Sequence, residues 1–158
     1  MIPTNTVTTA LVKLLPASMN TTQAEVLIGA IGGQESSYTT RAQIGGPARS
    51  FWMFEPNGVD ALLANSSTAE YMHQVCALVS VNCDELSIYA ALGDASGDLL
   101  ACAMARLLLW ADPHPLPDLN DADDAWSCYC RNWRPGKPRV WDWPANYQAS
   151  LAAFGVPP

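Results

Sequence analysis

Residues 97–111, Gly-Asp-Leu-Leu-Ala-Cys-Ala-Met-Ala-Arg-Leu-Leu-Leu-Trp-Ala, are apolar nearly all round. A helix without a polar face has to be enclosed by other elements, so this segment predicts a buried central helix with a shell around it. It is interrupted by Arg106 and is too short to cross a bilayer. The remaining chain supplies the shell. Helices are expected at 6–15, ending at Pro16, and at 22–36, where Thr22-Gln23-Ala24-Glu25 has capping-box spacing. Further helices are expected at 58–64, 68–80, 84–93, 121–131 and 143–153, with Trp110 placed in the core. The stretch from Thr39 to Pro56 is rich in Gly and Pro and predicts a small hairpin or extended loop. The expected fold is therefore mainly α, with an α+β variant if that loop forms a hairpin. There is no internal repeat or linker, so residues 1–158 read as one domain.

Composition narrows the partners. The net charge is −7, and the only basic concentration is Arg131, Arg134, Lys137 and Arg139. Nucleic acid is not expected, because Lys and Arg supply most of that affinity. The acidic run from Asp118 to Asp124 reads as a solvated helix start. Five cysteines without a secretory leader read as reduced thiols. Cys128-Tyr129-Cys130 is too tight for the usual zinc-ribbon spacing, and neither His73 nor His114 completes a ligand pattern. No metal and no cofactor is expected. The N-terminus Met1-Ile2-Pro3-Thr4-Asn5 lacks a basic start and a cleavage-type end, so synthesis in a cytoplasm is expected, with no stable membrane insertion.

One carboxylate stands out. Ala24, Ile28, Ile31 and Glu35 are spaced to share one helical face, which carries Glu35 into the final turn of an apolar stripe. A buried carboxylate must be paired, neutralised or used, and desolvation raises its pKa toward that of a proton donor. Arg41 and Arg49 are the partners that would neutralise it instead. Gly29, Gly32 and Gly33 in the same helix each cost about 1 kcal/mol relative to alanine, so another element or a ligand is expected to approach closely there.

Glu35-Ser36 followed by Gly46-Pro47-Ala48-Arg49-Ser50-Phe51-Trp52-Met53-Phe54-Glu55-Pro56 resembles the signature of the lysozyme-like superfamily. It is most similar to lytic transglycosylases and goose-type lysozymes, in which a helix ends in Glu-Ser and a Gly-x-x-Gly-Leu-Met-Gln loop follows. It also resembles a group of small bacteriophage proteins whose loop reads Gly-Gly-Pro-Ala-Arg-Gly-Phe-Trp-Gln-Phe-Glu. The Trp-Arg-Pro-Gly-Lys-Pro segment and Asn146-Tyr147 are similar to that group too. The resemblance implies a lysozyme-like fold and cleavage of the β-1,4 bond between N-acetylmuramic acid and N-acetylglucosamine in peptidoglycan. Glycan strands would be the partner, with virion components as further ones.

The resemblance also implies roles. Glu35 would protonate the glycosidic oxygen as general acid. In the transglycosylase course it would then act as base on the muramic 6-hydroxyl, closing a 1,6-anhydro ring. A hydrolytic, inverting course would want a second carboxylate roughly 6.5–9.5 Å away, for which Glu55 is the nearest acid in the motif. Tyr147 would orient the acid, and Ser36 would bind substrate or the acid itself. Phe51 and Trp52 would offer sugar-stacking faces, as would Trp133, Trp141 and Trp143. Ser50 and Met53 depart from the family's glycine and glutamine, and methionine lacks the amide that shapes the groove floor. That departure carries the alternative expectation: a catalytically impaired virion or tail protein on the same fold. The active form would reach the cell wall through holin-type release or within a virion.

Overall fold

The apolar segment is a helix, and it is enclosed as its composition requires. A computed structural model describes residues 1–157, and among these residues the fold is mainly α, with eight α-helices and no β-strand. These are α1 (Thr4–Leu14), α2 (Thr22–Ser36), α3 (Pro56–Ala64), α4 (Ala69–Leu78), α5 (Glu85–Ala91), α6 (Asp98–Ala111), α7 (Ala122–Trp133) and α8 (Trp143–Ala153). In α6 every residue from Leu100 to Leu107 is buried. Helix α1 lies along it, and α2, α3 and α4 also touch it. Its one interior cation, Arg106, donates from Nε to the Met19 carbonyl at 2.8 Å. The guanidinium lies 5.4 Å from the ring centre of Trp110. Trp110 itself is 38% exposed, which corrects its expected place in the core.

The capping chemistry differs by one residue from the spacing argument. Thr21, not Thr22, caps α2 by accepting from Ala24 N at 3.2 Å. Glu25 does not reach back to the cap. It accepts from Thr8 Oγ1 at 2.6 Å and so joins α2 to α1. The acidic run does start a helix: Asp121 accepts from Asp124 N at 2.9 Å, and Asp123 and Asp124 lie in the favourable first turn of α7. Helix α3 begins at Pro56, earlier than expected, since a proline at the first helical position gives up no hydrogen bond.

Helix α2 is buried on nearly every side, and its glycines explain how. A Cβ on Gly29 would stand 2.3 Å from Ser150 Oγ and 2.9 Å from the Phe154 ring. On Gly33 it would meet Asn146 Oδ1 at 3.0 Å, and on Gly32 the Tyr38 hydroxyl at 2.3 Å. The close approach is therefore made by α8 and by the chain folding back after α2. Ser150 Oγ donates to the Val26 carbonyl at 2.7 Å across the same contact. Three glycines cost about 3 kcal/mol in helix propensity. Burial of Val26, Leu27, Ile28 and Ile31 at about 1.5–3 kcal/mol each outweighs that cost.

The segment between α2 and α3 forms neither a helix nor a ladder. Two isolated antiparallel bridges, Ala42 with Arg49 and Arg49 with Phe54, fold it into a tight double turn. Arg49 and Phe54 exchange both backbone hydrogen bonds at 2.8 Å. The loop is tied down by Arg41, whose guanidinium donates twice to Asp98 at 2.7 and 2.8 Å. Tyr89 adds a hydrogen bond to the Pro47 carbonyl. No helix among the described residues is long and apolar enough to cross a membrane.

The glycine contact yields a stability test. Gly29→Ala should lower stability by about 1–3 kcal/mol, because the nearest atoms belong to a packed helix. Gly58→Ala, whose Cβ would find only Phe54 at 3.6 Å, should not destabilise. Thermal melts of the two variants beside the parent check this; equal melting temperatures would remove the packing account.

Candidate active site

Glu35 occupies the last turn of α2, where the chain leaves the core. Ser37 ends the helix in the left-handed region, φ 51°, and its N–H donates to the Gly33 carbonyl at 2.9 Å. Tyr38 follows at φ 55° and folds back so that its hydroxyl donates to the Gly29 carbonyl at 2.8 Å. This reversal leaves Glu35 half-buried at the side of a groove of about 800 Å³. The floor and walls come from the end of α2, the 40–54 loop, the start of α3, and α7 with the segment after it.

Neither Arg41 nor Arg49 pairs with Glu35. Arg41 is held by Asp98, and the Arg49 guanidinium lies 5.3 Å from the Tyr89 ring centre. Glu35 instead accepts one short hydrogen bond, 2.6 Å, from the hydroxyl of Tyr129 on α7. Burial raises the pKa of Glu35 and is the largest influence on it. The Tyr129 hydrogen bond and the charge of Arg139 pull the other way without reversing it. Burial, reinforced by the Glu35 charge, pushes the Tyr129 hydroxyl up, so the phenol stays a protonated donor. The pair is therefore an acid with an elevated proton affinity and a donor that fixes its orientation.

Tyr129 is placed by aromatic stacking. Trp126, Tyr129 and Trp133 recur at helical spacing on α7. Tyr129 stacks on Trp143 at 5.4 Å between ring centres, and Trp143 stacks on Tyr147 at 5.8 Å. Trp143 Nε1 donates to the Ala122 carbonyl at 2.8 Å, which locks α8 to the start of α7. Arg139 is placed by Gln34: Gln34 Nε2 donates to the Arg139 carbonyl at 2.9 Å, and the Arg139 guanidinium returns a hydrogen bond to the Gln34 carbonyl. Asn146 on α8 completes this by donating to Gln34 Oε1 at 2.8 Å.

The expected site residues divide. Glu35, Met53 and Glu55 all line the groove. Tyr147 does not meet the acid; it is buried behind Trp143, and the hydroxyl on Glu35 is that of Tyr129. Trp52 is fully buried and its indole N–H donates to the Ile28 carbonyl at 2.9 Å, so its faces are closed to a sugar. Phe51 is buried as well, with the Arg41 guanidinium 4.2 Å above its ring centre. Ser36 is turned inward: Oγ donates to the Gly32 carbonyl at 3.0 Å and accepts from Tyr38 N at 3.1 Å. Among the other tryptophans, Trp133 lines the groove and donates from Nε1 to the Trp52 carbonyl at 2.9 Å. Trp143 is buried, and Trp141 is 74% exposed outside the groove lining.

The sequence reading missed Tyr129, Arg139 and Gln34. For Tyr129 a signal existed, since an aromatic ridge at three- and four-residue spacing opens just after an acidic helix start. No family model matches the chain, and no curated protein or solved structure matches it either.

Two measurements follow from the electrostatics. The native state holds the Glu35 proton more tightly than the unfolded chain, so this residue's effect on stability worsens as pH rises from its ordinary value through its raised one. Glu35→Gln should therefore melt higher relative to the parent at about pH 7 than at about pH 4. A constant difference between the two would refute the burial argument. Tyr129→Phe should raise the Glu35 pKa further, because it removes a hydrogen bond that favours the carboxylate; carbon-detected titration of the Glu35 carboxyl reads this directly.

Proposed function

We propose that this chain cleaves the β-1,4 linkage between N-acetylmuramic acid and N-acetylglucosamine in peptidoglycan, as a lytic transglycosylase or muramidase. Glu35 is the general acid. The observation that carries the reading is a carboxyl of raised pKa, held by one tyrosine hydroxyl at the side of an open groove. Protonation of a poor sugar leaving group requires such an acid. The size is compatible with a polymer, because a groove of about 800 Å³ open to solvent has room for a strand of sugar units.

The loop gives secondary support. Ser50, which stands where the resembled family carries glycine, has φ 67°, a conformation that glycine adopts without strain. Its Oγ accepts from Trp52 N at 3.2 Å, so the substitution keeps the turn. Met53, in place of the family's glutamine, has φ 53° and lines the groove. In this proposal the fold is lysozyme-like, and the double turn with its two bridges stands where a small sheet would lie. The protein would act on the cell wall after holin-type release or as part of a bacteriophage virion.

Glu35 is the half-buried acid of the groove, and Glu55, at the start of α3, is exposed. That contrast favours the course in which a single residue serves as acid and then as base, giving 1,6-anhydro ends. The apolar side chain of Met53 favours the second reading, an impaired enzyme retained as a structural component. Digestion of purified peptidoglycan with the parent and with Glu35→Gln separates them. The enzyme reading expects lysis by the parent and a loss of roughly 10²-fold or more in the variant. Muropeptide masses then distinguish anhydro from hydrolysed ends. Lysis that survives Glu35→Gln, or none by the folded parent, would overturn the proposal.

A further inference from the structure

The segment after α7, where it lines the groove, is the most basic part of an acidic protein. Arg134, Lys137 and Arg139 line it, three of the eight cationic side chains in a chain of net charge −7. Most of the others are engaged elsewhere. Arg41 pairs with Asp98 and Arg131 with Asp112, Arg106 is buried against α6's own surroundings, and Arg49 lies by Tyr89. Arg139 pairs with Asp142 at 2.8 Å. Among the described residues, neither Arg134 nor Lys137 makes an ion pair, and both are exposed.

Helix electrostatics accounts for only one of the two. Arg134 closes α7 in the left-handed region, φ 48°, where the helix C-terminus attracts a cation. Its Nε lies 3.5 Å from the Arg131 carbonyl. Lys137 is beyond that terminus, between Pro135 and Pro138, whose fixed φ angles stiffen the arm that holds it over the groove. Glu35 and Glu55 line the same groove, and the Arg139 charge reaches Glu35.

We infer that Arg134 and Lys137 form an anion subsite for carboxylates carried on the glycan, namely those of the peptide attached to the muramic lactyl group. The inference rests on the peptidoglycan reading above and adds which strands the groove prefers. The number of cations decides against other polyanions. Nucleic acid binding needs a row of phosphate contacts, and an acidic lipid surface calls for a cluster of about four to eight cations. Two unpaired cations fit one or two carboxylates. A neutral oligomer of N-acetylglucosamine would find nothing there to bind, and amidation of the peptide carboxyls would remove the attraction.

Binding to the full-length Glu35→Gln chain, which leaves the probes uncut, tests this. Three probes are compared: an N-acetylglucosamine tetramer, a muropeptide tetrasaccharide with free peptide carboxylates, and the same molecule amidated. The free-carboxylate probe should bind about tenfold more tightly than the amidated one, a preference of the size two exposed charge pairs supply. Arg134→Ala with Lys137→Ala should abolish that preference and leave the tetramer unchanged, while Arg134→Lys with Lys137→Arg should keep it. Equal affinity for the free and amidated probes, or an equal loss for all three probes, overturns the anion subsite while leaving the glycan reading standing. Failure of all three to bind the folded chain overturns both.

Discussion

The seating of α8 on the glycine face of α2 is the contact from which the groove is built. With side chains at Gly29 and Gly33 the two helices would have to separate, since Ser150 and Asn146 already fill that space. Asn146 holds Gln34, Gln34 holds the backbone of Arg139, and the arm carrying Arg134 and Lys137 ends at that point. Trp143, also on α8, is the surface on which Tyr129 stacks. One interhelical distance thus bears both on where the arm meets the groove and on the position of the hydroxyl that meets Glu35. Close-packed interiors transmit such displacements because they have little free volume to absorb them.

The chemistry of Glu35 comes from a balance that burial wins. A carboxyl with one hydrogen-bond donor and a cation nearby would ordinarily be held in its charged form. Here the donor is a neutral phenol, and the cation that acts on Glu35, Arg139, shares its charge with Asp142. Their pull is too weak to offset removal from water. Had Arg41 been the partner, its doubly bonded guanidinium would have fixed the carboxylate in its ionised state. The fold avoids this by assigning Arg41 to Asp98 on α6. The ion pair that anchors the loop therefore also withholds a cation from the acid.

What the sequence revealed follows the range of the interactions. Helix identity depends on spacing, caps and prolines, all local, and each expected helix is present with shifts of a few residues at its ends. Glu35 was legible for the same reason, because its stripe lies within one helix. Its partner was not: Tyr129 lies 94 residues away. Choosing it over Tyr147 requires knowing that Trp143 stacks between the two. Trp52 misled in a related way. Its place in the loop suggested an open aromatic face, whereas its indole N–H finds a carbonyl of α2 and draws the ring into the core. Large aromatics with a polar edge settle where that edge can be bonded, and a local pattern does not reveal the site.

The loop itself carries the strain that a site of this kind concentrates. Ser37, Tyr38, Ser50, Met53 and Arg134, five of the seven non-glycine residues with positive φ among those described, follow the end of α2, lie in the loop that supplies part of the groove, or line the groove themselves. Such conformations cost free energy and persist where the surroundings enforce them. Here the enforcing contacts are identifiable: the Ser50 hydroxyl on Trp52 N, the paired backbone bonds of Arg49 and Phe54, and the Trp133 indole on the Trp52 carbonyl. They converge on Met53, which lies within this turn and faces the cavity. The backbone that presents residue 53 to the groove is thus determined by its neighbours, so a change of side chain there alters what the groove can bond while leaving its shape in place.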